Sequence, residues 1–256
     1  MNIFLKFLQL LYWIYAAAIF IITMFLAFPF VVGASFFGKI EGGNMIYRIC
    51  RIWDDVWSLL VGIQHENIFE SVADQNKPYI FVANHESYMD IPAILEAVRN
   101  QPIRVLGKSE IKYIPVFGFI YSRAVVMVDR GNATNRSRSV RITKSVLRKG
   151  ISIVIFPEGT FNMTGKPLKA FYDGAFRIAI EMQTPIRPIL FLDTYARMHN
   201  KSFFSLNPGR SRAVFLEEVP VEGLSMDQVS DLKKKVYDLM EAKLISYQAS
   251  WISENP

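Results

Sequence analysis

The chain has 256 residues, which is enough for one sizeable domain with an appendage. It is 51% hydrophobic and carries a formal net charge of +6, so it favours a membrane or anionic partners such as lipid headgroups, phosphorylated metabolites or nucleic acid. Its one cysteine, Cys50, excludes a disulfide framework and a cysteine-based zinc site, and its three widely separated histidines show no metal spacing, so a reducing, cytoplasm-facing location is expected.

The first predicted element is an uncharged apolar stretch from Phe7 to Phe37. A membrane-spanning helix needs about 20 such residues. This stretch is longer, and Pro29 and Gly33 interrupt its second half. It therefore predicts either one span followed by an interfacial piece, or a helical hairpin that dips into one leaflet. It is too long for a secretory signal peptide. Basic residues place its far end on the cytoplasmic side if it spans: Lys39, Arg48 and Arg51.

A helical stripe with two tryptophans comes next. Its members are Met45, Ile46, Ile49, Trp53, Trp57 and Leu60. The stripe fits a core-facing helix, and it also fits an interfacial helix because tryptophan favours the headgroup region. We therefore expect residues 1–61 to form membrane-associated N-terminal helices and residues 62–256 to form a separate α/β domain.

From Gly62 onward, short β-rich stretches alternate with helical patterns. Strands are predicted at Tyr79–Ala83, Ile103–Leu106, Ala124–Val128, Ile151–Phe156, Ile186–Leu192 and Ala213–Glu217. Helices are predicted at Ile91–Arg99, Asn135–Lys149 and Gly174–Glu181. A closing amphipathic helix follows a capping box formed by Ser225 and Gln228. The alternation predicts an α/β fold with a mixed, largely parallel sheet flanked by helices.

The stretch from Asn84 to Asp90, directly after the first predicted strand, is a candidate for acid–base chemistry. With an unperturbed pKa of about 6.5, a neutral His85 accepts a proton near pH 7. Asp90 would hold the other ring nitrogen and stabilise the imidazolium. Ser87 and Asp90 also resemble a capping box, with Ser87 as the N-cap of the next helix. The two interpretations are compatible if His85 lies ahead of that helix.

Three further polar residues follow predicted strands, namely Lys108, Arg130 and Glu158. Ligand sites of α/β sheets lie beyond the carboxyl ends of the strands, so one crevice would collect these residues together with His85. Taken singly, Lys108 and Arg130 are more typical of solvated surface charges, and Glu158 is typical of a turn.

Taken together, these segments resemble the glycerolipid acyltransferases, and specifically their 1-acylglycerol-3-phosphate acyltransferase branch. A Lys-x-Glu segment at Lys108 leads to Pro-x-x-Gly between the first two motifs. The four motifs occur in family order: Asn84–Asp90 as His-x4-Asp, Val128–Arg130, Phe156–Thr160 as Phe-Pro-Glu-Gly-Thr, and Thr184–Ile189. The resemblance covers roughly Ile80 to Leu190, and the apolar N-terminus agrees in character.

The resemblance implies a membrane-bound O-acyltransferase that makes phosphatidic acid from a lysophospholipid acceptor and an acyl-CoA or acyl carrier protein donor. His85 would be the general base and Asp90 would orient it. Lys108 and Arg130 would bind the acceptor phosphate, and the acceptor site would be shaped by Glu158, Gly159 and Thr160. Backbone N–H groups near Gly159 or in the His85 loop would stabilise the oxyanion. The resemblance implies no metal and no cofactor beyond the co-substrate. The compact chain favours the cytoplasmic face of a bacterial inner membrane.

The chain departs from the family pattern at Phe161, where the family has an arginine after Glu-Gly-Thr. A phenylalanine cannot grip a phosphate as that arginine does. Lys166 or Lys169 would compensate, or the acceptor would be another lysolipid or an acylated amino-acid lipid. A lipid hydrolase is the rival from another class, but the chain lacks Gly-x-Ser-x-Gly. The scattered basic residues disfavour a nucleic-acid binder.

Overall fold

A computed structural model of the chain describes residues 3–72, 74–128 and 133–252. Its centre is one sheet, with strands β1 Ile63–Phe69, β2 Ile80–Ala83, β3 Ile103–Lys108, β4 Val125–Val128, β5 Ser152–Ile155, β6 Ile186–Phe191 and β7 Gly209–Phe215. Their order in space is β1-β7-β6-β2-β5-β3-β4. All neighbours run parallel except β6 and β7. The predicted mixed, largely parallel sheet is confirmed.

Helices cover both faces of this sheet. Their bounds are α1 Ile3–Ser35, α2 Gly43–Val61, α3 Asp90–Ala97, α4 Phe117–Ala124, α5 Ala133–Leu147, α6 Gly174–Met182, α7 Thr194–Arg197 and α8 Val229–Ser246. Side chains alternate between the faces of a strand, so each strand contributes to two cores. On β2, Ile80 and Val82 pack with α5, α6 and α8, whereas Phe81 and Ala83 pack with α2 and α3. The capping box of Ser225 and Gln228 before α8 is present, as predicted.

The N-terminal segment is a hairpin of α1 and α2, two long antiparallel helices. The Tyr12 hydroxyl donates to the Val61 carbonyl at 2.6 Å, and the Trp57 indole N–H donates to the Ala16 carbonyl at 3.0 Å. α1 continues for 33 residues through Pro29. The expectation that the apolar stretch itself divides at Pro29 and Gly33 is therefore wrong, because the returning arm of the hairpin is α2.

The two tryptophans of α2 face α1 rather than solvent. Trp53 and Trp57 are buried, and both pack against Phe20. The core-facing interpretation of this stripe is thus correct for the tryptophans. The opposite side of α1 is apolar and exposed, as at Leu26 and Phe30. The 32-residue segment Phe4–Ser35 is long and apolar enough to cross a membrane.

Three elements of the fold are absent from the sequence prediction, namely β1, α4 and the four-residue helix α7. β1 carries His65, Glu66 and Asn67 and shows little apolar alternation, but it pairs along its whole length with β7. β7 in turn begins at Gly209, four residues before the predicted start at Ala213. The short helix α4 lies in the segment interpreted only as a Pro-x-x-Gly connection. It packs against α1 and α2 through Ile120.

Candidate active site

His85 lies just beyond the carboxyl end of the central strand β2. All four residues of β2 are buried, which fixes the direction in which the chain leaves the sheet. Asn84 then ties the exit to β6, because its amide accepts the Phe191 N–H at 2.8 Å and donates to the Phe191 carbonyl at 3.1 Å. The imidazole that follows is one-fifth exposed, with a side-chain exposure of 20%. A rigid strand therefore presents a ring that a substrate can reach.

The imidazole is oriented by Asp90, as predicted. His85 Nδ1 lies 2.8 Å from Asp90 Oδ2, and the Asp90 side chain has no solvent exposure. The same oxygen accepts the backbone N–H groups of Glu86 and Ser87 at 2.8 and 2.9 Å. Two backbone N–H donors on this oxygen suit a carboxylate, and a carboxylate beside Nδ1 favours the tautomer with its hydrogen on Nδ1. The neutral ring then presents Nε2 as a lone-pair acceptor, which is the tautomer that a general base needs.

Ser87 is not the N-cap residue of α3, although Ser87 and Asp90 make the hydrogen bonds predicted for a helix start: the Ser87 hydroxyl accepts the Met89 N–H, and Asp90 accepts the Ser87 N–H. Helix α3 begins at Asp90, and its N-cap residue Met89 makes no side-chain cap. The Ser87 hydroxyl accepts the Met89 N–H at 3.0 Å and donates to the Met198 carbonyl. The carboxylate of Asp90 points back toward the preceding loop and accepts hydrogen bonds from its backbone. This arrangement places His85 before the helix, as the catalytic interpretation requires.

Glu158 lies beneath the His85 loop and joins two segments. Its Oε1 accepts the His85 N–H and its Oε2 accepts the Lys169 N–H, both at 2.9 Å. The residue is fully buried, and burial raises its pKa to about 7 although both backbone bonds act to lower it. Gly159 supplies the turn with a φ of 74°, and the Thr160 hydroxyl receives the Lys169 ammonium at 2.7 Å. Glu158 therefore supports the loop from behind, and it does not line an open acceptor site.

Two residues that the sequence did not single out complete this support. The Asn162 N–H donates to the His85 carbonyl at 2.8 Å, and its side-chain amide donates to Glu86 Oε1 at 3.1 Å. Glu86 is 1% exposed, and burial, with additional repulsion from Glu158 and Asp90, raises its pKa to about 10. Glu86 is therefore a neutral acid at physiological pH. Its partner is 76 residues away in sequence, so no local pattern could have identified the pair.

Phe161, where the resembled family has an arginine, lies directly against the imidazole of His85. Its ring centroid is 4.4 Å from that of His85, whose other neighbour, Phe156, stacks at 4.2 Å. Aromatic contacts continue outward to Tyr88 at 4.8 Å and then from Tyr88 to Phe203 at 5.6 Å. Phe203 in turn contacts Trp13 of α1 at 5.9 Å. We call Phe161, Tyr88, Phe203 and Trp13 the aromatic row; it connects the base to the N-terminal hairpin.

Of the predicted phosphate-binding cations, Lys108 lies at some distance from His85. Lys108 ends β3 and is exposed, and two strand spacings, roughly 10 Å, separate β3 from β2. Arg130 lies outside the described residues. Lys169 is bound to Thr160, and Lys166 lies on the surface of the same loop. On this side of the His85 imidazole the neighbour is Phe161, and no lysine or arginine among the described residues contacts the ring there.

Most of the backbone N–H groups expected to stabilise an oxyanion already have acceptors, whereas that of Tyr88 in the His85 loop has none among the described residues. Those of Glu86 and Ser87 bond to Asp90, that of His85 bonds to Glu158, and that of Gly159 bonds to the Phe156 carbonyl at 3.0 Å. The next two N–H groups, of Thr160 and Phe161, have no acceptor among the described residues. They are the donors nearest to the turn that remain available.

Comparison with known proteins places this geometry in context. A family model described as Acyltransferase matches residues 63–192, half of the chain. A 1-acyl-sn-glycerol-3-phosphate acyltransferase of Haemophilus influenzae is 30% identical over 190 residues, which cover 72% of this chain and 76% of that protein. An uncharacterized acyltransferase of Schizosaccharomyces pombe is 30% identical over 182 residues, but the chain spans only 63% of its length. The crystal structure of the LPA acyltransferase PlsC from Thermotoga maritima shares the fold, with a TM-score of 0.74, 23% identity and coverage of 98% of this chain and 99% of that one.

Proposed function

The chain belongs to the acyltransferase family, and from that premise we propose that it is a membrane-bound 1-acylglycerol-3-phosphate O-acyltransferase. It moves a fatty acyl group from a thioester, acyl-CoA or acyl carrier protein, to the free sn-2 hydroxyl of the lysolipid, giving phosphatidic acid. Residues 62–256 carry the chemistry and residues 1–61 the membrane association. The observation that carries the proposal is the His85–Asp90 pair: Asp90 Oδ2 lies 2.8 Å from Nδ1 of an imidazole that is 20% exposed.

The reaction is a single transfer without a covalent acyl-enzyme. His85 Nε2 accepts the proton of the acceptor hydroxyl while the oxygen attacks the thioester carbonyl carbon. The tetrahedral oxyanion then collapses, the carbon–sulfur bond breaks, and the leaving thiolate takes the proton from the imidazolium. Asp90 stabilises the imidazolium between these two steps. General-base catalysis of this kind typically contributes about 10²–10⁴-fold.

The surroundings of His85 suit a lipid acceptor. The aromatic row offers apolar surface from the base to α1, and Tyr88 and Phe203 are about half exposed. We propose that the Thr160 and Phe161 N–H groups receive the oxyanion, since the neighbouring N–H groups are engaged. We further propose that the exposed face of α1 enters the cytoplasmic leaflet of a bacterial inner membrane. Lys108 and Arg130 would then meet the acceptor phosphate at the carboxyl edge of the sheet.

Phe161 favours a second candidate acceptor within the same reaction class. An aromatic ring against His85 supplies no charge for a phosphate at that position. A lysolipid with a neutral headgroup, or an acylated amino-acid lipid, would lose less there than lysophosphatidic acid. The chemistry at His85 is the same for all of them.

An acceptor panel with the purified protein tests these proposals. The panel contains lysophosphatidic acid, a neutral lysolipid, an acylated amino-acid lipid and a reaction without acceptor. We expect transfer to lysophosphatidic acid, and a loss of about 10²-fold or more in His85→Ala. His65→Gln, at a histidine of β1 outside the site, is the matched control and should retain activity. Near-normal transfer by His85→Ala would refute the mechanism, and release of fatty acid without acceptor would indicate a hydrolase.

A further inference from the structure

Helix α5 carries a concentrated positive charge that the proposed reaction does not use. No aspartate or glutamate occurs between residues 131 and 157. Of the basic residues here, Lys144 is neutralised by Glu181 of α6. Four others are exposed and form no ion pair within the described residues: Arg138, Arg141, Arg148 and Lys149. We call these four the basic face of α5, of which Arg148 and Lys149 lie in the turn directly after the helix ends at Leu147.

The basic face lies on the opposite side of the molecule from the apolar hairpin. Val146 and Leu147 of α5 pack into the same core as α6 and α8. α2 and α3 cover the other face of the sheet, and α1 packs outside α2. Three layer spacings thus separate α5 from α1, roughly 25–30 Å. Since the Debye length is about 8 Å at physiological ionic strength, headgroup charges around α1 are screened at α5. The basic face therefore serves a soluble anionic partner better than a lipid surface.

The position of α5 relative to the base restricts this partner further. α5 follows β4, so its first turns lie at the carboxyl edge of the sheet, where His85 also lies. Three strand spacings separate β4 from β2, roughly 14 Å. From Arg138 to Lys149 the cations extend over about 15 Å along the helix axis, more than one phosphate group covers. The surface suits an acidic protein that docks along the helix and extends a flexible arm to the base.

We propose that the basic face of α5 is the docking surface for an acidic carrier protein that holds the acyl group as a thioester. This inference rests on the proposed acyl transfer and specifies how one class of donor is bound. The carrier docks through its acidic surface, and its acyl-bearing arm crosses β3 and β5 to His85. Complementary charge acts mainly on the association rate, so the interaction weakens as salt rises.

Charge reversal on α5 tests the proposal with two donors in parallel. We expect Arg138→Glu with Arg141→Glu to lower kcat/KM for acyl carrier protein about tenfold at low salt. With acyl-CoA, kcat/KM should fall clearly less than with the carrier, because the anionic phosphates of CoA cover a smaller area than a docked protein does. Lys234→Glu with Lys235→Glu on α8 makes the same change in net charge and is the matched control. A milder pair, Arg138→Gln with Arg141→Gln, should show a smaller loss in the same direction if the reversal impairs folding.

Direct binding separates failure of this inference from failure of the proposed function. Fluorescence anisotropy of a labelled acyl carrier protein, titrated with the full-length protein, reports docking without turnover. Normal transfer from acyl-CoA with no carrier binding, or equal losses with both donors, would overturn the docking surface. A loss of binding to anionic vesicles in the α5 variant would also overturn the docking surface, because it would show that the basic face binds the membrane. No transfer from either donor, with carrier binding intact, would instead overturn the proposed reaction.

Discussion

Replacing Asp90 by asparagine removes the charge beside His85 while keeping the size of the side chain. Asp90 Oδ2 lies 2.8 Å from His85 Nδ1. When the imidazolium forms, the two charge centres are about 4 Å apart, and at an effective dielectric constant of 20 they attract by about 4 kcal/mol. Each 1.36 kcal/mol corresponds to a factor of ten in rate, so kcat should fall about a thousandfold in Asp90→Asn. KM should change little, because Asp90 is fully buried.

The assay is steady-state acyl transfer to lysophosphatidic acid across a range of acceptor concentrations, with circular dichroism to monitor folding. Asp54→Asn is the matched control. Asp54 is also buried, but it lies on α2 away from His85, and burial raises the pKa of its carboxyl well above the ordinary value, which favours the uncharged form that asparagine resembles. Its kcat should equal that of the unaltered protein. A loss smaller than about tenfold in a folded Asp90→Asn would refute the role given to the Asp90 charge.

Three further predictions concern Glu86, Phe161 and α1. Between pH 4.5 and its folded pKa of about 10, Glu86 stays protonated while the unfolded chain loses that proton, so it lowers stability as pH rises. Between pH 6 and pH 9, the calorimetric Tm of the unaltered protein should therefore fall further than that of Glu86→Gln. The two decreases should differ by roughly 5 °C or more. Phe161→Arg should raise kcat/KM for a phosphate-bearing acceptor about tenfold relative to a neutral lysolipid, the worth of one charged hydrogen bond. Leu26→Lys with Phe30→Lys should reduce vesicle flotation about tenfold or more, because each lysine is costly in hydrocarbon.

Each of these predictions has its own control. Glu86→Ala removes the hydrogen bond to Asn162 and should lose activity that Glu86→Gln keeps; parallel Tm curves for Glu86→Gln and the unaltered protein would contradict the assigned protonation. Phe161→Leu should not change the preference between acceptors, and an unaltered preference in Phe161→Arg would show that position 161 does not meet the headgroup. Val72→Lys places a lysine at an apolar residue that is 92% exposed, and flotation should not respond. Unchanged flotation of the α1 variant would remove α1 from the membrane contact.

Sequence reasoning succeeded where the signal is local. β2, β5 and β6 are short, buried and rich in branched apolar residues, so their presence was predicted to within a residue or two. The family resemblance, carried by four motifs in order, is confirmed by the comparisons. The contact between His85 and Asp90 was also predictable, since five residues and one loop separate them.

Sequence reasoning failed where the structure or protonation of a residue depends on a partner that is distant in the sequence. β1 is a strand because β7 lies beside it, and its own polar residues give no strand pattern. The protonated state of Glu86 depends on burial beneath Asn162 and on two other carboxyl groups, none of which local spacing reveals. Phe161 was recognised as a departure from the family, but its contact with the imidazole required the fold.

The pairing of β1 with β7 also sets the order in which the chain assembles during synthesis. Ile63 pairs with Gly209, 146 residues later, so the sheet remains open until the ribosome has completed β7. The hairpin of α1 and α2 is finished long before, and under the proposed membrane role it would meet lipid while β1 still lacks its partner strand. Closure of such a distant pair costs only slightly more entropy than closure of a nearer one, but long-range pairing slows folding. If the proposed membrane role holds, a nascent chain interrupted before Gly209 would be attached to the membrane with β1 unpaired, the state in which chaperones and proteases are expected to meet it.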